Sequence, residues 1–369
     1  MILHLLFGDK FGEYAVRQFS DPEMSSVLIF VTQKWDKYQP ASVEGARVIG
    51  SSSKEFKEVL ACLGDYKAVI LHGLFQPWQA RVLQSVPDGV KVAWVFWGGE
   101  IYGRNDLRDR FLAPRTKCFL AFREIVQRVK RKTNKVPFQI PFELLKRIDY
   151  CLTDIPEDFA FVKGYFGTEI KELWYNYYSV EETLGDLATE TVDGSNILIG
   201  NSCSIECNHL DCFSLIHQFS LKDSKVIVPL NYGEDWLKSK LLKTGKRLFG
   251  DRFVPLTDFM PRDAYNRILK SCSVAIMPHY RPQAFGNILT ALWLGSRVYL
   301  SRKNHLFAFF KRIGVVLYSL EEDLSPRNPA SLTPLSDEQR NQNRKVIASI
   351  YGKEIMRQKN LEIVKVLNS

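Results

Sequence analysis

Between Ala264 and Ser301 the chain reads AYNRILKSCSVAIMPHYRPQAFGNILTALWLGSRVYLS, an order of helix, strand, glycine-bearing loop, helix and strand. Tyr265, Ile268, Leu269 and Cys272 fall on one face of a predicted helix. Val274-Ala275-Ile276-Met277 is a short apolar run closed by Pro278, the pattern of a buried parallel strand. Phe285-Gly286-Asn287 then opens a second helix that stops at Gly295 before Arg297-Val298-Tyr299-Leu300. A small-residue turn leading from a strand into a helix N-terminus presents unpaired amides and the positive end of the helix dipole. Such turns hold phosphate in α/β proteins, so a nucleotide-bearing ligand is expected here.

The same alternation runs through the rest of the chain. Strands are predicted at 2–6, 26–31, 67–72, 90–97 and 148–153, most of them followed by a turn and a polar–apolar helical stretch. An acidic, turn-rich segment at 181–195, with Gly185, Asp186, Asp193 and Gly194, reads as an interdomain linker. A second series follows, with strands at 196–200, 225–230 and 253–256 before the 264–301 unit. The expected architecture is α/β with two Rossmann-like domains facing each other across a cleft. The domains are placed at 1–185 and 195–340, and a helical tail at 341–369 is expected to pack back on the first.

Composition enters at two points. With 46% hydrophobic and 12% aromatic residues, the 369-residue chain is globular rather than disordered. Its net charge of +9 is concentrated: residues 104–147 hold thirteen Lys/Arg against four Asp/Glu, which matches the excess of the whole chain. Arg108, Arg110, Arg115, Lys117, Arg128, Lys130, Arg131 and Lys132 interleave there with Phe111 and Phe122. Such a segment has three readings: a helix on an anionic membrane surface, a phosphate-contacting nucleic-acid site, or a basic solvated helix with its apolar face in the core. No nucleic-acid motif accompanies it. No apolar run approaches the roughly 20 residues of a spanning helix, and the first residues lack a signal peptide's basic region. Cys203, Cys207 and Cys212 are spaced unlike common zinc sites and read as reduced thiols.

Candidate site residues sit where strands end. Glu100, in Trp97-Gly98-Gly99-Glu100, is either a general base or a helix cap. Asp9 is a second carboxylate or a turn former, and His72 an alternative base or a structural hydrogen bonder. Gly200, Asn201 and Ser202 are placed to meet phosphate or the transferred sugar, and Asn231 and Tyr232 to meet base or ribose. Asn208 and His209 begin a helix and read as its cap. His279 and Arg281 precede the phosphate-facing helix, where cationic or donor groups would offset charge on a leaving diphosphate without a metal.

The C-terminal unit resembles the donor half of GT-B glycosyltransferases, though Gln283-Ala284-Phe285-Gly286 and Thr290-Ala291 lack the two glutamates many of those carry. A narrower resemblance covers about residues 2–320. His72-Gly73-Leu74-Phe75-Gln76-Pro77, Phe96-Trp97-Gly98-Gly99-Glu100-Ile101-Tyr102, Gly200-Asn201-Ser202 with Asn208-His209, and Val226-Ile227-Val228-Pro229 resemble the TDP-N-acetylfucosamine:lipid II N-acetylfucosaminyltransferases, the 4-alpha-L-fucosyltransferase-like family 56. The resemblance implies a TDP-sugar donor carrying a 4-acetamido-4,6-dideoxygalactose-like sugar, an undecaprenyl-diphosphate-linked saccharide acceptor, and no metal or other cofactor. Gln283, Phe285, Gly286 and Asn287 would then line the nucleotide-sugar site. The implied location is peripheral, on the cytoplasmic face of a bacterial inner membrane, with no nucleic-acid partner. A UDP- or GDP-sugar transferase, and a non-catalytic basic binding module, are the alternatives.

Overall fold

The computed structural model describes residues 1–7, 10–33, 43–104, 106–129, 138–167 and 169–369, with backbone only at 10 and 127–129. Two compact units emerge. Unit 1 comprises Met1–Arg104, Val136–Ser179 and Lys353–Ser369; unit 2 comprises Asn105–Lys135 and Val180–Gly352.

Unit 1 is built on β1 (Ile2–Phe7), β2 (Ser26–Thr32), β3 (Arg47–Gly50), β4 (Ala68–His72), β5 (Lys91–Val95), β6 (Tyr150–Thr153) and β7 (Lys171–Trp174). They form one parallel sheet in the order β3-β2-β1-β4-β5-β6-β7. The central strands are continuous apolar runs because helices cover both faces; all five residues of Ala68–His72 are buried. The helix Lys353–Asn368 closes this core with Ile363, Val364 and Leu367 against Ile2, Phe19 and Leu28.

Unit 2 holds β8 (Asn196–Ile199), β9 (Val226–Pro229), β10 (Phe253–Leu256), β11 (Cys272–Met277), β12 (Arg297–Leu300) and β13 (Tyr318–Ser319), parallel in the order β10-β9-β8-β11-β12-β13. In both sheets the order reverses once, between β1 and β4 and between β8 and β11. Connections leave in opposite directions there, opening a crevice at the carboxyl ends of those strands.

Three expectations need correction. Residues 105–135 belong to unit 2, not to the first domain. The physical reason is local: Leu112 and Leu120 are buried in the unit 2 core, and Asp211 caps the helix Pro114–Val129. Its carboxylate accepts from the amides of Arg115 and Thr116 at 2.8 and 2.9 Å and from the Thr116 hydroxyl at 2.7 Å. Second, the tail is divided: Asp337–Tyr351 is a helix of unit 2, and only Lys353–Asn368 joins unit 1. Third, Cys272 lies in β11 rather than on the preceding helix, which ends at Lys270.

Candidate functional site

In unit 2 the register Ile199↔Ile276 sets the ends of β8 and β11 side by side. Gly200 follows β8 at φ +69°, and a Cβ there would stand 2.7 Å from Nε2 of His209. Asn201 is held by three neighbours, its Nδ2 donating to the Tyr232 hydroxyl at 2.9 Å and its Oδ1 meeting Nε2 of His279 at 3.0 Å and the Cys207 thiol at 3.5 Å. The Ser202 hydroxyl and the His279 Nε2 flank the Cys207 thiol at 3.5 and 3.2 Å. The fold thus brings Asn201, Ser202, Tyr232 and His279 together. Tyr232 is 53% exposed on the outer side of this group, and Asn231 precedes it, two residues after β9.

The helix Phe285–Leu294 begins at Ala284, which adopts a left-handed φ of +61° uncommon for a residue with a side chain. Ile288 donates the first intrahelical bond, to the Ala284 carbonyl at 2.9 Å. The amides of Phe285, Gly286 and Asn287 precede it and have no acceptor within the helix. Asn287 donates to the Tyr265 hydroxyl at 3.1 Å. Phe285 turns inward, stacked on Phe310 and edge-on to Tyr351, so it packs the helix start rather than lining the crevice. Gln283 and His279 each bury a polar atom, Oε1 and Nδ1, without a partner in the protein.

Charge is distributed differently from the expectation. His279 is fully buried, and burial, then the nearby Arg281 charge, holds its imidazole well below the ordinary value, so it is neutral. Arg281 is buried too, and its Nε donates to Oε2 of Glu206 at 2.7 Å in an ion pair. The guanidinium is matched by a carboxylate, and the pair carries no net charge toward a ligand. The capacity for anions at this edge therefore rests on helix amides and neutral donors. Removing Glu206 strands a buried cation: Glu206→Ala should cost about 3–5 kcal/mol in urea unfolding, and Glu206→Ala with Arg281→Met should recover much of it. Equal midpoints for single and double variants would contradict the pairing.

Asn208 and Glu206 were not singled out as site residues in the sequence. Asn208 is buried at φ +47° and accepts the Ala113 amide at 2.7 Å. It donates to the carbonyls of Phe111, Glu206 and Pro278 at 3.0–3.2 Å. One side chain thus ties the basic segment's start to the end of β11. Phe111, expected at a membrane, is buried. Arg110, Arg115, Lys117 and Phe122 are exposed and Arg108 partly so. The Arg128 side chain and Lys130, Arg131 and Lys132 lie outside the described residues, as does Asp9.

In unit 1, Glu100 follows β5 on the short helix Gly99–Tyr102. Its Oε1 accepts from the Trp94 indole at 3.1 Å and the Trp97 amide at 3.0 Å, and the residue is partly exposed. His72 is only 1% exposed, and burial, then His4, holds it neutral; it is part of a core network rather than a reachable base. The proton positions in that network follow uniquely. The Ser26 hydroxyl donates to the Met24 carbonyl at 2.9 Å, so it accepts from His4 Nε2 at 3.2 Å. Neutral His4 then accepts at Nδ1 from His72 Nε2 at 3.2 Å. His72 in turn accepts at Nδ1 from the Tyr177 hydroxyl at 2.8 Å, which accepts from the Trp97 indole at 2.8 Å. Five donors thus point one way, from Trp97 to Met24.

Among the described residues no three His, Cys, Asp or Glu side chains are grouped to hold a metal, and no helix is long and apolar enough to cross a membrane. The family described as 4-alpha-L-fucosyltransferase glycosyl transferase group 56 matches residues 51–328. Solved structures share the fold. A glycosyltransferase from Rickettsia africae aligns at TM-score 0.62 and 10% identity, over 99% of this chain and 98% of that one. AviGT4, a glycosyltransferase involved in avilamycin A biosynthesis, aligns at 0.57 and 11% over 100% and 98%. Sucrose-phosphate synthase from Thermosynechococcus elongatus aligns at 0.56 and 11% over 100% and 95%. The two Rossmann-like sheets are those of the GT-B class.

Proposed function

We propose, for a chain that belongs to the 4-alpha-L-fucosyltransferase glycosyl transferase group 56 family and is therefore a glycosyltransferase, that it moves an amino-deoxy sugar from TDP to a polyprenyl-diphosphate-linked saccharide at a membrane surface. The observation that carries this is the family match over residues 51–328, joined to a phosphate-ready edge in unit 2. There the free amides of Phe285, Gly286 and Asn287 take the diphosphate, while Asn201, Ser202, Asn231 and Tyr232 meet the sugar and nucleoside. In unit 1, Glu100 removes the proton of the acceptor hydroxyl. The acceptor oxygen bonds to the anomeric carbon as the bond from that carbon to the diphosphate oxygen breaks. The electron pair leaves on TDP, and the proton resides on Glu100.

Membrane attachment, on the cytoplasmic face in this reading, is supported by one side of the helix Pro114–Val129. Phe122 and Ile125 are 67% and 60% exposed there, on the same side as exposed Arg115. Arg123 lies 3.8 Å over the Trp236 ring and Lys240 5.5 Å over Phe119, where another side of the helix meets the basic helix Asp235–Phe249.

Thermal unfolding with TDP, UDP, GDP and ADP tests the donor. A nucleotide present at 100 times its dissociation constant stabilises by about 2.7 kcal/mol. Selective stabilisation by TDP is expected. Selective stabilisation by UDP or GDP would overturn the donor assignment and keep the transferase; no shift with any would remove the nucleotide site from this reading.

A further inference from the structure

The carboxyl ends of β1, β4 and β5 carry an aromatic group that the chemistry above leaves unused. Phe7 ends β1, Phe75 follows β4 and Trp97 follows β5. Their ring centroids stand 4.8 Å (Phe7–Trp97), 5.8 Å (Phe7–Phe75) and 5.8 Å (Phe75–Trp97) apart, and all three side chains keep part of their surface in solvent. Glycines beside them make room for the rings. Gly73 sits at φ +75°, and a Cβ there would come within 3.0 Å of Phe75 and 3.1 Å of Phe7. Gly98 and Gly99 follow Trp97 directly.

We propose that Phe7, Phe75 and Trp97 form the floor of a subsite for one pyranose ring of the acceptor, an inference that rests on the reading of unit 1 as the acceptor unit. Ligands of open parallel sheets bind at this edge, and small-molecule sites combine apolar rings with a few placed polar groups. A pyranose has that character: one face of C–H bonds suits an aromatic ring, and its hydroxyls need partners at the rim. The rim supplies them. Glu100 accepts from the Trp97 amide at 3.0 Å, and the partly exposed side-chain amide of Gln76, after β4, is held at the same edge by the buried amide of Gln33, after β2. An isoprenoid would desolvate these carboxylate and amide groups without replacing their hydrogen bonds, which is why the sugar is the occupant.

Trp97 is also the best-fixed ring. It heads the donor chain through Tyr177, His72, His4 and Ser26, and that chain determines which way the indole faces. A ring anchored at its N–H loses little freedom when a sugar settles on it.

The test uses the full-length protein and saturation-transfer NMR with methyl pyranosides of glucose, galactose, mannose and their 2-acetamido counterparts, with farnesol as the isoprenoid probe. Transfer to the C–H face of a pyranoside is expected. Trp97→Ala and the milder Phe75→Leu should each weaken it about tenfold, near 1.4 kcal/mol, with the nucleotide-induced thermal shift unchanged. The unchanged nucleotide response certifies folding of each variant, and Phe75→Leu serves if Trp97→Ala fails to fold. Wild-type protein that takes no pyranoside, takes farnesol instead, or binds pyranosides equally after both substitutions overturns the proposal. Pyranoside binding without any nucleotide response would sink the transferase chemistry and leave this subsite standing.

Discussion

Glu100→Gln should lower turnover by about 10²–10⁴-fold, the range for losing a positioned proton acceptor, with a smaller loss of stability than Glu100→Ala. The geometry makes this substitution informative. Oε1 of Glu100 receives both the Trp94 indole and the Trp97 amide, and the amide oxygen of glutamine can receive the same two donors. Structure is retained while the basic oxygen is lost. Glu100→Ala differs, since it orphans two N–H groups and should cost about 1–3 kcal/mol of stability. Normal turnover in Glu100→Gln would leave Glu100 as the anchor of two tryptophans and nothing more. Initial rates and unfolding midpoints of both variants separate the outcomes.

Acid should weaken unit 2 far more than unit 1. Each unit buries two histidines: His4 and His72 in unit 1, His209 and His279 in unit 2, all at 0–2% exposure. Burial pushes His4 and His209 down to about 3, and holds His72 and His279 well below the ordinary 6.5. The unfolded chain takes up protons below 6.5, whereas the native imidazoles resist them until far lower pH. Stability is therefore full above about 6.5 and falls below it, by about 1.4 kcal/mol per pH unit for each histidine. Asp154 acts in the opposite sense. Burial, then the Asp158 charge, raises it from 3.8 to about 7, so the native state gains its proton first and acidification from 7 restores stability in unit 1. From pH 7.5 to 5 the loss of stability in unit 2 should therefore exceed that in unit 1. Urea unfolding at pH 7.5 and 5, followed by tryptophan fluorescence, measures it. A midpoint flat over that range would mean these histidines are solvated.

Most strands legible in the sequence were those buried on both faces, because their apolar runs need no partner to be recognised. β3, β7 and β13 escaped notice for the converse reason. β7 reads Lys171-Glu172-Leu173-Trp174 with its first two residues exposed, and β13 is two residues at the sheet edge. The 264–301 unit was legible almost residue by residue, down to Gly295 at φ +96° ending the helix. For the candidate site, strand ends bring Gly200, Asn201, Ser202 and His279 together, since the order of a doubly wound sheet sets those ends side by side. Charge states did not follow. Arg281 meets Glu206 across 75 positions, and His72 meets Tyr177 across 105. No local pattern records such pairings, so the sequence leaves His72 open between base and structural hydrogen bonder, and Arg281 reads as an available cation. Phe285 and Phe111 were misplaced likewise, because an aromatic beside a loop looks the same whether it faces a ligand or a core.

Unit 1 is assembled from three separated stretches of chain, the last of them Lys353–Ser369. During synthesis, its sheet emerges from the ribosome long before the helix that seals it. Ile2, Phe19 and Leu28 must wait for Ile363, Val364 and Leu367, while unit 2 has every residue it needs once Gly352 is out. The N-terminal unit is thus the last to be completed. A frameshift or premature stop within the final helix would leave a finished unit 2 beside an unsealed partner, exposing apolar surface that proteases can recognise.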